Sequence, residues 1–527
     1  MTKAATDYRR AQGRGNAQSQ TRLSEGLSAD WLWLAVTLVA GVVRLVVAAS
    51  TPLFPDEMYY WDWSRHLAPG YFDHPPMIAW LVWLGTMVAG PTPLGVRLFA
   101  VLAGVVAVCF VCLTARRLGG TRAANVAAIV FAVVPMSAAG LVLATPDAPT
   151  LAAAAATLYA VVCALQAPER SVESLRWWCA GGLALGLAFC SKITAALLPA
   201  GVLVGLLLRR DLRGRLAEPG PYIATCIAMA VFLPMIAWNI QHDWISFRFQ
   251  IQHGLGGASG SIVRRELDLI GGQLGIVTPI LFAMCGVAVV RALRSSQSGP
   301  AAVLAAVATL VFCFFFYSAT RRRVEPNWPA LAYVPAVALL AAYAGTRSWN
   351  RWLFAGIVLA GGLTMVSYVN AYVPILPVSA PRDPVARSHG WDELAVAVER
   401  VHRPRRSLSS YRTHVAGNRY QEATALAFHL PGHPQTFSLN LASRANQYDL
   451  WPSFRESAQP GDALLLVVDD VGGSSPTVET LAPHFSRATR GELVHLTRNG
   501  ALVKNLRIWV LDGWRGTWPQ DEVRSRP

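Results

Sequence analysis

The chain has 527 residues and carries 46 Lys and Arg against 31 Asp and Glu, a formal net charge of +15. With 53% hydrophobic and 15% charged positions and a mean hydropathy of +0.36, it is too apolar for an ordinary soluble protein and belongs in a membrane. Its apolar blocks run roughly 17 to 25 residues, which suits helices and excludes a β-barrel. Its basic residues are scattered in short loops, which excludes a nucleic-acid partner.

The N-terminal stretch, residues 1–30, is polar and basic, and its apolar block starts too late for a cleavable signal peptide. Eleven spans are expected over 31–50, 95–115, 123–143, 147–166, 177–191, 193–208, 221–240, 270–290, 300–318, 328–345 and 352–374. Alternate connections hold the basic residues: Arg116, Arg117 and Arg122; Arg170 and Arg176; Arg209, Arg210, Arg213 and Arg215; Arg291 and Arg294; Arg347 and Arg351. By the positive-inside rule these loops and the N-terminus are cytoplasmic, and an odd number of crossings puts the C-terminus outside.

The first outer loop, 51–94, contains two aromatic-rich segments expected to lie at the membrane interface, around 57–67 and after Pro75–Pro76. Residues 31–375 form the membrane domain. Residues 380–527 read as a soluble α/β domain, with helical patterns at 391–401 and 418–430 and strand-like runs at 435–440, 463–469, 491–496 and 506–511. All eight cysteines lie in apolar stretches, so neither a disulfide framework nor a zinc cluster is expected.

Polar residues converge on the outer side of this topology. Asp56 and Glu57 open the first loop, Asp73 and His74 lie within it, Asp147 starts the fourth span, and Lys192 sits in the turn between spans five and six. Arg321, Arg322, Arg323 and Glu325 follow the ninth span, and Asn239 to Asp243 end the seventh. Carboxylates grouped with cations at an outer surface suit group transfer from a lipid-linked phosphate: the carboxylate takes the acceptor's proton and the cations receive the leaving phosphate. No Asp-x-Asp pair, phosphate loop or His-Glu-x-x-His site is present. Each residue also has a structural alternative. Asp56, Asp73 and Asp147 stand where a carboxylate caps a helix, Lys192 is placed to snorkel, and Trp238 and Trp328 read as interfacial anchors.

The motif Pro55-Asp56-Glu57-Met58-Tyr59-Tyr60-Trp61, followed by Gly70-Tyr71-Phe72-Asp73-His74-Pro75-Pro76-Met77, resembles the first outer loop of the bacterial family 39 glycosyltransferases. That family is related to protein O-mannosyltransferases and lipid A aminoarabinose transferases. Thr145-Pro146-Asp147, Ser191-Lys192, Trp238-Asn239 and Val324-Glu325-Pro326-Asn327-Trp328-Pro329 extend the similarity over about residues 30–375.

The resemblance implies a GT-C fold in a bacterial inner membrane, with the active site and the C-terminal domain on the periplasmic side. It implies a polyprenyl-phosphate sugar donor and an envelope acceptor, whether lipid A, another glycan or protein, with Asp56 as base and Glu57 beside it. Asp73, His74, Asp147, Lys192, Arg321, Arg322, Arg323 and Glu325 would then surround the donor. Asp73-His74-Pro75-Pro76 stands where the aminoarabinose transferases have Glu-Lys-Pro-Pro, which puts aminoarabinose specificity in doubt. Some relatives bind a divalent metal near this position, which Asp73 and His74 could do here. The alternative is a lipid-linked sugar flippase, which would favour internal repeats that this sequence lacks.

Overall fold

The structure is a computed structural model that describes residues 30–257, 260–295, 299–344, 347–408, 411–441, 444–470 and 475–519. The basic N-terminal stretch up to residue 29 lies outside the described residues.

The membrane part is helical. It comprises α1 (Asp30–Ser50), α2 (Pro55–Ser64), α3 (Met77–Ala89), α4 (Pro93–Val133), α5 (Pro135–Gly140), α6 (Asp147–Gln166), α7 (Val172–Ser191), α8 (Leu197–Leu208), α9 (Pro219–Gln241), α10 (Ile245–Leu255), α11 (Ile262–Val277), α12 (Pro279–Arg294), α13 (Gly299–Arg321), α14 (Ala330–Ala342) and α15 (Arg347–Tyr372). Among the described residues six helices are long and apolar enough to cross a membrane, or seven if α11 and α12, bent by 101°, form one span. This is fewer than the eleven expected. Part of the difference lies in α4, whose 41 residues hold two expected spans joined at Gly120, where φ is 75° and glycine has no Cβ to clash. Pro135 and the extended Val134 then separate α5. Two further expected spans fold as shorter apolar helices, Ile193–Leu208 and Ala330–Ala342.

Small residues let the helices approach. A Cβ on Gly201 or Gly205 of α8 would meet the Cα of Val307 or Val303 on α13 at 2.6 Å. Gly182 and Gly186 of α7 press likewise on Ala224 and Val231 of α9. With no hydrophobic drive between helices in lipid, such close backbone contact supplies the dispersion that holds them.

The basic loops gather at one end. Arg116 pairs with Asp30 at 3.2 Å, Arg215 donates to the carbonyls of Leu165 and Ala167, and Arg209 donates to Ser295 O at 2.6 Å. The starts of α6 and α14 and the ends of α7 and α13 lie at the other end, and there the first loop folds inward. The segment around α2 was expected at the membrane interface, yet residues Glu57 to Ser64 are all buried. The cause is a cover that sequence periodicity does not reveal: Trp61 meets Phe428 edge-on at 4.9 Å, and Asp62 accepts from Tyr448 at 2.7 Å. By contrast α3 leaves Trp83, Leu84, Met87 and Val88 exposed, as an interfacial helix does.

After α15 come α16 (Trp391–Leu408), β1 (Thr413–Gly417), α17 (Tyr420–His429), β2 (Thr436–Ser438), β3 (Ala463–Asp469), β4 (Phe485–Arg498) and β5 (Ala501–Trp514). They build a sheet in the order β2-β1-β3-β5-β4. The pairs β1–β2 and β1–β3 are parallel, and β3–β5 and β4–β5 are antiparallel. The central β3 has the near-continuous apolar run of a strand covered on both faces. Asn499 and Gly500, with φ of 49° and 79°, make the tight turn of the β4–β5 hairpin. The four strand-like runs read from sequence fall on β2 to β5; β1, a five-residue strand, was not anticipated.

Candidate active site

Glu57 and Arg97 form the foundation. The guanidinium of Arg97 donates Nε to Glu57 Oε1 at 2.7 Å and Nη2 to Oε2 at 2.6 Å, and both side chains are almost wholly buried. Arg97 also donates to the carbonyls of Ala48, Thr51 and Pro52, while Glu57 accepts from the backbone N–H of Phe54 and of Ala144. A buried carboxylate with this many donors is satisfied. It locks the start of α2 to α4 and to the segment before α6, and it does not line the cavity described next.

Asp56, one residue earlier, faces the other way. It lines a cavity of about 500 Å³ and is open to it while surrounded by protein. Its Oδ1 accepts from the Tyr420 hydroxyl at 2.8 Å. Burial pushes the Asp56 carboxyl above the usual carboxylate range, against the Tyr420 hydrogen bond and the Arg444 charge. Asp73 accepts from Tyr59 at 2.7 Å and pairs with Arg444 at 2.7 Å. Burial also pushes its carboxyl up, opposed chiefly by Arg444. Burial, then the nearby Lys192 charge, lowers His74 to about 3, so its imidazole is neutral at physiological pH.

Across the cavity α7 ends where Lys192 turns extended (φ −156°, ψ 135°), which aims its ammonium at Asp147 Oδ1, 2.6 Å away. The other Asp147 oxygen accepts from Asn327 at 2.6 Å. Asp56 and Asp147 therefore spend no oxygen on a helix cap. Glu325, Asn327 and Trp328 follow α13 into the cavity wall, so Trp328 is a lining residue. The rest of the wall is apolar, with Ile193 and Leu197 before and on α8, Leu255 on α10, and Phe314 and Phe315 on α13. The cavity thus has a charged end and an apolar flank.

Arg321, Arg322 and Arg323 were expected beside the donor, and none of them lines this cavity. The helix α13 ends at Arg321, so the three arginines leave it on a turning backbone and face different ways. Arg321 lies over Tyr317, with 6.0 Å from its guanidinium to the ring centroid, and Arg323 faces solvent beside Glu325 at 3.7 Å. Arg322 lines a separate groove. Two residues of the C-terminal sheet region that sequence reasoning missed do line the cavity, Tyr420 and Arg444. Tyr420 begins α17 just beyond β1, and Arg444 lies in the loop beyond β2, so the carboxyl ends of the parallel strands face the cavity. Nothing local in the sequence marks either residue.

The site does not fit a divalent metal. Asp73 already spends its oxygens on Tyr59 and Arg444, and among the described residues no three His, Cys, Asp or Glu side chains converge.

Residues 73–238 match the family described as dolichyl-phosphate-mannose-protein mannosyltransferase. A curated relative, the lipid A galacturonosyltransferase RgtD of Rhizobium johnstonii, is 30% identical over 313 residues, covering 59% of this chain and 64% of that protein. The structure of ArnT from Cupriavidus metallidurans superposes with a TM-score of 0.61 in its apo state at 18% identity, covering 91% of this chain and 97% of ArnT. Bound to undecaprenyl phosphate, ArnT superposes with a TM-score of 0.63 at 19% identity and the same coverage. The chain thus shares the fold of ArnT, carries the mannosyltransferase family match over residues 73–238, and spans just under two thirds of the length of its curated relative.

Proposed function

We propose that the protein is an integral-membrane glycosyltransferase that moves one sugar from a polyprenyl phosphate to an envelope acceptor, such as lipid A, another glycan or a protein. The observation that carries this reading is the cavity itself: Asp56 and Lys192 line its charged end, and an apolar flank runs past Leu197 and Phe314. Such a shape suits a phosphate joined to an isoprenoid. The curated relative and the lipid-bound ArnT add support. No observation favours a flippase.

In this reading the acceptor hydroxyl gives its proton to Asp56, and its oxygen attacks the anomeric carbon. The bond from that carbon to the phosphate oxygen breaks in one inverting step, and the polyprenyl phosphate leaves with one more negative charge. Lys192 stabilises that charge and Asp147 and Asn327 hold Lys192 in place. Neutral His74 contributes a hydrogen bond, not a charge. Glu57 is a positioning residue, since its carboxylate is consumed by Arg97 and two backbone N–H groups.

Lys192→Ala is accordingly expected to lower kcat at saturating donor with little change in yield of folded protein. A lysine that only anchored the helix end would lower yield and leave turnover per folded molecule intact. Tyr420→Phe removes a hydrogen bond that favours the ionised form of Asp56, so the acid limb of the kcat/KM profile should move to higher pH. An unmoved limb would mean that Tyr420 does not touch the base in the working enzyme.

We take the chain to cross the membrane eleven times, counting both limbs of α4, the α11–α12 pair and the short α8 and α14 as crossings, with residues 31–375 as the catalytic domain. The cavity and residues 380–527 then lie on the periplasmic side of the inner membrane. The clustering of the basic loops at the opposite end supports this. A reporter active only in the periplasm should work when fused at Pro527 and fail when fused near Arg213. The reverse pattern would invert the placement.

A further inference from the structure

Beside the catalytic cavity lies a second groove, of about 350 Å³, whose lining includes Arg248, Arg322, Arg444 and His253 over Phe72 and Phe249. Among the described residues no Asp or Glu lines it. Arg444 answers Asp73, but among the described residues neither Arg248 nor Arg322 has a carboxylate within ion-pair distance. The Arg322 side chain donates to the carbonyl of Gln252 at 2.8 Å. Burial first, and then the charges of Arg322 and Arg444, lower His253 to about 4, so its imidazole adds no charge of its own to the groove at neutral pH. These cations stand at the end of the molecule where the positive-inside rule disfavours them, so membrane insertion does not account for them.

Two further features point to what fills the groove. Trp244, at the start of α10, is exposed beside the helix that carries Arg248, as an interfacial tryptophan is. The groove also shares Phe249, His253 and Arg444 with the catalytic cavity, so a ligand in one adjoins a ligand in the other. Arginine forks at headgroup level recognise phosphate oxygens.

We infer that this groove is an acceptor subsite, in which Arg248 and Arg322 bind a phosphate of a membrane-borne glycolipid whose hydroxyl is thereby presented to Asp56. The inference rests on the glycosyltransferase reading and narrows its acceptor to a phosphate-bearing glycolipid.

The test measures binding, independently of turnover, of phosphorylated lipid A and of the same glycolipid stripped of phosphate to the full-length protein in phosphatidylcholine nanodiscs. The wild type should bind the phosphorylated form about tenfold more tightly, and R248A/R322A should lose that advantage. R248K/R322K, which keeps both charges, should retain most of it, separating charge from folding. Equal affinity for the two glycolipids, or a phosphate preference that survives in R248A/R322A, would overturn the inference. So would full displacement by phosphatidylglycerol at equal mole fraction, which would make the groove a general headgroup site. If no donor supports sugar transfer and the binding pattern still holds, the glycosyltransferase reading fails and the phosphate site stands.

Discussion

Asp56→Asn is expected to lower turnover roughly 100-fold or more, about 2.7 kcal/mol of transition-state stabilisation, while the protein remains folded. The amide keeps the shape and the oxygen that accepts from Tyr420, and loses the basicity. The effect on stability should have the opposite sign. Burial holds the folded-state carboxyl above its unfolded value, so stability linked to this group is full at low pH and is lost as pH rises through the folded-state value. At neutral pH the ionised carboxylate therefore costs stability, and Asn removes that cost. A melting temperature equal to or above wild type, together with the loss of turnover, is the expected pair of results. Near wild-type turnover would reduce Asp56 to a structural residue.

The second large effect is on folding. Arg97→Ala leaves Glu57 buried without its cation and strips donors from the carbonyls of Ala48, Thr51 and Pro52. Removing one partner of a buried ion pair costs about 3–5 kcal/mol, so the variant should show a sharply lower melting temperature and little folded protein. An unchanged melting temperature would show that Arg97 is not what fixes α2. The neighbouring carboxylates thus separate by environment: Asp56 opens on the cavity and Glu57 is sealed beneath it.

That separation marks what the sequence could and could not tell. The convergence of Asp56, Asp73, His74, Asp147, Lys192 and Glu325 on one cavity was legible, because span lengths and basic loops fix which helix ends share a face. Which carboxylate of the Asp56–Glu57 pair points inward was not, because it depends on Arg97, 40 residues away in sequence. The burial of α2 was hidden for the same reason, since its cover comes from Phe428 and Tyr448. Tyr420 and Arg444 were missed because a soluble-looking region gives no local signal that its loops descend onto a membrane site. The shape of the spans was hidden as well, because apolarity does not reveal how far a helix runs before it bends, as between α11 and α12.

The central claim is transfer of sugar off a lipid phosphate at this cavity. Purified protein should be incubated with a panel of polyprenyl-phosphate sugars and acceptor glycolipid, and the products followed by mass spectrometry. The expected result is free polyprenyl phosphate released in step with sugar-modified acceptor, both abolished in Asp56→Asn. Intact lipid-linked sugar moved between leaflets, at the same rate in wild type and Asp56→Asn and with no polyprenyl phosphate released, would contradict it.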